Sequence, residues 1–104
     1  MDYATAFARL DKALTAVLTF DDKTVLSGAE CDALMMAILE EMTEITISEL
    51  EDSNQHYVPL TPAFKAQKDA LDRVVAKADE LESALLKAQK IVDLFKSLSA
   101  TILV

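Results

Sequence analysis

The residues best suited to chemistry in this sequence are three clustered carboxylates, Glu40, Glu41 and Glu44. Glu41 and Glu44 are three residues apart, so they share one face of a helix. Helical di-metal sites combine such carboxylates with Glu-x-x-His pairs from other helices, but the one histidine, His56, belongs to no such pair. We therefore expect no metal and no cofactor. We interpret the three carboxylates as a solvated acidic face or as a docking patch for a basic partner.

The single cysteine, Cys31, would be a nucleophile only if a neighbouring base activated its thiol. It falls on the apolar face of a predicted helix, where a cysteine serves as a small core residue. The sequence also lacks a phosphate-binding loop, a nucleophile elbow, zinc-ligand spacing and a dinucleotide fingerprint. We therefore predict that the protein is not an enzyme and has no catalytic or cofactor-binding residues.

Three methionines, Met35, Met36 and Met42, could form an adaptable binding groove, because methionine-rich surfaces accommodate varied partners. Filling of the core is the interpretation that we favour. Met36 is the one member that we expect to be exposed.

The composition favours helices over sheets. Of 104 residues, 52% are hydrophobic but only 6% are aromatic, and the chain has no tryptophan, one glycine and two prolines. Sheets with many turns need more glycine and proline than this, whereas apolar mass from Ala, Leu and Met is typical of helices. The length fits one hydrophobic core. We therefore predict an all-α protein with a single helical domain over residues 1–104.

The net charge of −8 is unevenly distributed along the chain. Residues 1–60 contain twelve acidic and three basic side chains, whereas residues 61–104 contain six acidic and seven basic ones. A general nucleic-acid binder needs Lys and Arg to neutralise phosphates, so we expect no nucleic acid among the partners. The two halves have complementary charge, as a folded-back hairpin would require.

Neither end of the sequence predicts a targeting or membrane segment. Residues 1–20 lack the basic start and apolar run of a signal peptide. The most apolar stretch, residues 91–104, is too short to span a bilayer, and it contains Asp93 and Lys96. We therefore expect a cytoplasmic protein without a membrane span.

Apolar spacing and capping signals predict the first two helices. With Asp2 as its N-cap, the first covers residues 3–20 and has apolar side chains at intervals of three and four. These side chains are Tyr3, Phe7, Leu10, Leu14, Val17 and Leu18. Ser27 and Glu30 form a capping box that starts a second helix over residues 28–50. Residues 43–48 weaken its end, because they are rich in β-branched side chains.

The longest periodic pattern follows Thr61 and Pro62, which are an N-cap and first-turn pair. Apolar or small side chains then recur every three or four residues, the spacing of a coiled-coil seam. The seam consists of Phe64, Gln67, Leu71, Val74, Ala78, Leu81, Leu85, Ala88, Val92, Phe95, Ser99 and Ile102. It predicts one long helix over residues 62–103 that forms an antiparallel hairpin with the second helix.

This third helix is too long for its predicted neighbours. At a rise of about 1.5 Å per residue it would reach roughly 60 Å, against roughly 30 and 35 Å for the other two. Its C-terminal end would project with an apolar stripe, which is unusual for a soluble monomer. Either the helix breaks near residues 97–99 and folds back, or a second copy covers the stripe. We predict a homodimer or higher oligomer with the contact residues Ile91, Leu94, Phe95, Leu98 and Ile102.

These features together predict a non-enzymatic protein–protein interaction module that acts through helical surfaces, such as an adaptor, chaperone-like subunit, inhibitor or immunity-type protein. The partner is another protein, which the sequence does not identify. The alternative is a structural or secreted helical-hairpin subunit of a larger assembly. Size distinguishes the two, because a module forms a small defined species whereas an assembling subunit grows with concentration.

Overall fold

Five helices make up most of this computed structural model, which describes residues 1–18, 25–80 and 86–102. The side chains of residues 78–80 and 86–91 lie outside this description. The helices are α1 (Tyr3–Leu18), α2 (Gly28–Ile47), α3 (Pro62–Lys65), α4 (Lys68–Glu80) and α5 (Leu86–Ala100). No strand occurs in the described ranges, where the sheet-like pairing is an isolated bridge between Asp2 and His56. The all-α prediction is confirmed.

Helix α1 begins where the sequence predicts and buries a face made partly of small side chains. The Thr5 amide donates a hydrogen bond to the Asp2 carboxylate at 2.7 Å, as an N-cap requires. The buried positions are Tyr3, Ala6, Leu10, Ala13 and Val17. The sequence places Leu18 on the buried side, but Leu18 is 64% exposed. Because Ala6 and Ala13 belong to the buried face, that face is centred away from Leu18.

The first described residues pair with the linker between α2 and α3, which covers residues 48–61. The amides of Tyr3 and Ala4 donate to the carbonyls of Gln55 and Ser53, both at 3.0 Å. The Tyr57 amide donates to the carbonyl of the first residue at 2.9 Å. These bonds fasten the start of α1 to a segment from the middle of the sequence.

Helix α2 begins at the predicted capping box. The Glu30 amide donates to Ser27 Oγ at 3.1 Å, and the Ser27 amide donates to Glu30 Oε1 at 3.0 Å. Residues 43–47, which are rich in β-branched side chains, remain helical. The hydroxyls of Thr43 and Thr46 donate to carbonyls one turn earlier, so these polar groups are satisfied within the helix.

Helix α2 ends before the predicted boundary at residue 50, in a left-handed turn. Glu49 has a φ of 58°, and the amides of Glu49 and Leu50 donate to the carbonyls of Thr46 and Ile45. This is the hydrogen-bonding pattern of a Schellman motif, in which glycine is the common left-handed residue. A glutamate there gives no sequence signal, which is why the predicted boundary is too late.

The helix predicted after Thr61 starts as expected but lasts a single turn. Thr61 Oγ1 accepts a hydrogen bond from the Phe64 amide at 3.2 Å, and Pro62 lies in the first turn. Helix α3 then ends at Lys65, and α4 begins at Lys68 after a turn. The start signal is therefore confirmed, while the length that follows it is not.

The predicted single helix over residues 62–103 is wrong, because α4 and α5 pack against each other in antiparallel orientation. The Lys68 ammonium donates to the Ser99 hydroxyl at 2.8 Å and to the Ser99 carbonyl at 3.2 Å. In one continuous helix these two residues would be roughly 46 Å apart. The protein measures only 39 Å along its longest axis.

The described part of the apolar seam is thus divided among α3, α4 and α5, and α4 and α5 pack against each other. Helix α4 ends at Glu80 and α5 begins at Leu86, and the residues between them lie outside the described ranges. Helix α5 runs through residues 97–99 without interruption, so a break at that point, the other predicted possibility, is also wrong. The segment that was expected to project lies instead against α4 and α1.

Side chains from all five helices meet in one hydrophobic core. The fully buried members include Leu10 from α1, Ile38 from α2 and Phe64 from α3. Helices α4 and α5 contribute Leu71 and Leu98, which are also fully buried. The single-turn α3 is therefore anchored in the same core as the longer helices.

An ion pair ties α4 to the start of α2. The Arg73 guanidinium contacts the Glu30 carboxylate and donates to the Val25 carbonyl at 3.2 Å. The guanidinium, together with the Ser27 amide, holds the pKa of Glu30 at about 2, below its ordinary value of 4.5. Because the folded chain lowers this pKa, the pairing stabilises the fold only where Glu30 is ionised.

We expect the Arg73–Glu30 pair to contribute its full stability above pH 4.5 and to lose it as the pH falls towards 2. Arg73→Gln should therefore be less stable than the natural protein near neutral pH, and the difference should shrink over that acid range. Urea denaturation at a series of pH values measures this. Lys12→Gln, at an exposed position on α1, is the matched control. A difference for Arg73→Gln that does not change with pH would contradict the role assigned to Glu30.

Candidate functional site

Helix α2 has apolar side chains on two opposite sides. Its inner side contributes Ile38 and Ile45 to the core, both fully buried. Its outer side exposes three large apolar side chains: Met36 is 69% exposed, Leu39 is 49% exposed and Ile47 is 69% exposed. A helix that is apolar around its circumference is normally covered on every side. The outer side of α2 therefore lacks the cover that its composition calls for.

The exposed side chains lie in one line along the helix. Met36, Leu39, Thr43 and Ile47 follow each other at intervals of three and four residues, which keeps them on one face. The Thr43 hydroxyl donates to the Leu39 carbonyl at 2.8 Å, so its hydrogen is used within the helix. The line is roughly 17 Å long, or about three helical turns. We call these four residues the outer stripe.

Carboxylates border the outer stripe. Asp32 and Glu40 are exposed and Glu44 is partly exposed. None of the three forms an ion pair with a residue that the structure describes. The sequence has no Lys or Arg from residue 24 to residue 64. The outer stripe therefore lies in a region of negative electrostatic potential.

Glu41, predicted as part of the acidic patch, is instead completely buried. Its carboxylate accepts hydrogen bonds from the Tyr57 hydroxyl at 2.8 Å, from the Leu60 amide at 2.9 Å, and from the Thr61 amide and hydroxyl at 2.9 and 2.8 Å. All of these described donors are neutral, so hydrogen bonds rather than a described cation satisfy both carboxylate oxygens. Of the predicted patch, only Glu40 and Glu44 are accessible to a partner.

The buried carboxylate fixes the linker after α2 against the helix. The Tyr57 ring packs edge-on against Tyr3, with ring centroids 5.3 Å apart and ring planes at 89°. Burial, and then the Glu41 carboxylate, raise the pKa of the Tyr57 phenol, so the phenol remains a hydrogen-bond donor. Helix α1, helix α2 and the linker are thereby held in one arrangement, which presents the outer stripe on a fixed support.

The C-terminal residues predicted to form a self-association surface are used within the chain. Phe95, Leu98 and Ile102 are buried in the core, and Leu94 is partly buried against it. The side chain of Ile91 lies outside the described residues. The apolar stripe on which the predicted homodimer depends is therefore not exposed at these four positions, because α5 lies against α4 and α1.

One polar cluster combines a hydroxyl with an acid and a base, a set that can activate a serine nucleophile. The Ser99 hydroxyl donates to the Asp72 carboxylate and accepts from the Lys68 ammonium at 2.8 Å. Ser99 is only 4% exposed, so a substrate could not reach its hydroxyl. Lys68 also donates to the Ser99 carbonyl in the last turn of α5, where a cation stabilises a helix. The cluster joins the start of α4 to the end of α5.

Cys31 and the methionines occupy the positions that the sequence predicts. Cys31 is buried in the core, Met35 and Met42 are partly buried against it, and Met36 is exposed. Within the described ranges, no group of three or more His, Cys, Asp or Glu side chains could hold a metal ion. No helix in those ranges is long and apolar enough to cross a membrane.

No protein-family model, no curated protein and no solved structure matches this chain. A function can therefore be argued only from the chemistry of the molecule's own surfaces. Among the described residues, the accessible feature that departs most from an ordinary solvated surface is the outer stripe with its border of carboxylates.

Proposed function

We propose that the protein is a non-enzymatic protein–protein interaction module that binds its partner through the outer stripe. The observation that carries this proposal is the exposure of Met36, Leu39 and Ile47 in one line on a helix whose opposite side is buried. Adjacent exposed apolar side chains with a polar border are typical of protein-binding surfaces. An adaptor, a chaperone-like subunit, an inhibitor or an immunity-type protein would use such a surface.

Three side chains that could perform chemistry support this proposal, because they are buried and occupied in holding the fold. Glu41 fastens the linker, Ser99 joins two helix ends, and the Cys31 thiol lies in the core. A free thiol also fits the reducing cytoplasm, which is the compartment that we propose for the protein.

Replacing Leu39 and Ile47 with serine should weaken binding of the partner about a hundredfold, because each large apolar side chain buried in a complex contributes about 1.5 kcal/mol or more. The same pair should change the free energy of unfolding by less than about 0.5 kcal/mol per site, since both side chains are exposed in the free protein. The natural partner is captured from cells with the tagged protein, purified, and titrated against each variant.

The matched control is Leu18→Ser with Val58→Ser, because these apolar side chains are comparably exposed, at 64% and 54%, but lie outside the outer stripe. The control pair should bind the captured partner as the natural protein does. Equal weakening by both pairs would show that the partner does not recognise α2. If the variant with Leu39→Ser and Ile47→Ser bound the partner as tightly as the natural protein does, the proposal would be wrong.

The second candidate function is a structural or secreted helical-hairpin subunit of a larger assembly, and the antiparallel α4–α5 pair favours it. Sedimentation over a range of concentrations separates the two candidates. A module remains a small defined species, whereas an assembling subunit grows as its concentration rises. A homodimer through α5 is no longer our proposal, because Phe95, Leu98 and Ile102 are buried within the chain.

A further inference from the structure

We propose that the occupant of the outer stripe is an amphipathic helix of a partner protein, with Lys or Arg side chains beside its apolar face. This inference rests on the proposed function and adds the chemical class of the partner. Two observations carry it: the shape of the stripe and the charge of its border.

The shape of the outer stripe matches one face of a helix. Its apolar side chains follow each other along about three turns and roughly 17 Å, the length over which a bound helix places anchors at intervals of three, four and seven residues. Met36 and Ile47, the two ends of the stripe, are each 69% exposed. Both ends are therefore free to contact a partner helix laid along α2.

The border of the stripe selects the charge of that helix. Asp32, Glu40 and Glu44 carry three negative charges and have no ion-pair partner among the described residues. The sequence supplies no Lys or Arg from residue 24 to residue 64. Cations on the partner would therefore meet carboxylates that no described cation of this chain already engages.

A second copy of this chain is a poor occupant for the same reason. In a symmetric pair, each copy would bring the same carboxylates to the contact, and like charges placed across an interface oppose association. The net charge of −8 on each molecule adds to this repulsion. With a basic partner, neither the repulsion between carboxylates at the contact nor the repulsion between net negative charges arises.

The test uses three synthetic helical peptides of about 18 residues, long enough to cover the stripe. They share one leucine face and differ in the residues beside it, which are lysine, glutamine or glutamate. Binding to the full-length protein is measured by calorimetry, and the contact region by changes in amide NMR shifts. We expect the lysine peptide to bind about tenfold more tightly than the glutamine peptide, and the shifts to centre on residues 32–47.

Two charge-reversed variants locate the effect. Glu40→Lys with Glu44→Lys should weaken binding of the lysine peptide about tenfold and strengthen binding of the glutamate peptide. Asp11→Lys with Asp52→Lys changes the net charge by the same amount at exposed positions outside the stripe. This control should alter the affinity less than about twofold, because exposed charges farther away are screened by salt.

The outcomes separate the inference from the function on which it rests. Equal weakening by both charge-reversed pairs, or equal binding of the lysine and glutamine peptides, would overturn a basic partner while leaving the interaction surface in place. If Leu39→Ser with Ile47→Ser did not weaken binding of the peptides, both the basic partner and the proposed interaction surface would be wrong. If the natural protein bound phosphatidylcholine vesicles and this same pair abolished that binding, the stripe would be a lipid-binding surface instead. If the natural protein formed dimers in sedimentation and this pair abolished them, the occupant of the stripe would be a second copy.

Discussion

Replacing Glu41 with alanine is expected to lower the free energy of unfolding by about 4 kcal/mol, a large share of the roughly 5–15 kcal/mol typical of a domain. The substitution leaves the Tyr57 hydroxyl and the amides of Leu60 and Thr61 without their acceptor. Each buried donor without a partner costs about 1–3 kcal/mol. For a domain of this size the melting temperature should fall by about 20 °C.

Glu41→Gln should have roughly half of this effect, because the amide keeps one acceptor oxygen but turns an NH₂ group towards the donors. Glu40→Ala is the control, since Glu40 is the exposed neighbour of Glu41 on the same helix, and it should change the stability by less than about 0.5 kcal/mol. Urea denaturation followed by circular dichroism measures all three. Similar small effects of Glu41→Ala and Glu40→Ala would show that the carboxylate is not buried among these donors.

Replacing Leu98 with alanine should cost about 3 kcal/mol, because the side chain is completely buried and the substitution leaves a cavity in the core. Met36→Ala removes a side chain of similar size that is 69% exposed, and it should cost less than about 0.5 kcal/mol. Thermal unfolding followed by circular dichroism gives both values.

The dependence on protein concentration decides where Leu98 is buried. If it packs within its own chain, the melting temperature of the natural protein and the loss caused by Leu98→Ala are independent of concentration. If Leu98 lay at a contact between copies, the melting temperature would rise with concentration, because association stabilises the folded state by mass action. A concentration-dependent melting temperature that Leu98→Ala abolishes would restore self-association through α5.

The features that the sequence predicts correctly depend on residues close together in the chain. The capping box of Ser27 with Glu30 and the N-cap at Thr61 each involve partners three residues apart, so their signals are complete within one turn. The exposure of Met36 follows from its place in the helical repeat. Such local patterns predict the starts of α2 and α3 and the outward position of Met36.

The features that the sequence did not predict depend on residues far apart. A heptad seam specifies an apolar face but not what covers it, so the same pattern fits one long helix or two helices that pack together. The fold-back is marked by the bond from Lys68 to Ser99, across 31 positions of the sequence, and the contact of Arg73 with Glu30 ties α4 to α2 across 43 positions. No local sequence pattern indicates contacts between residues so far apart in the chain.

The buried network around Glu41 lies between these cases. Glu41 follows Ile38 by three residues and precedes Ile45 by four, so it lies in the phase of the inner face of α2. An acidic residue at such a position signals a buried carboxylate with hydrogen-bond donors. Its donors, Tyr57, Leu60 and Thr61, lie 16–20 residues further along the chain, so no pattern within α2 identifies them.

The pairing of the first residues with the linker after α2 has a consequence for how the protein folds during synthesis. Tyr3 and Ala4 cannot form their bonds to Gln55 and Ser53 until the residues up to Gln55 have left the ribosome. Closing so long a loop costs entropy before any bond forms, and contacts of this range slow folding. Helix α1, although made before α2, therefore reaches its native place only after α2 and the linker have emerged.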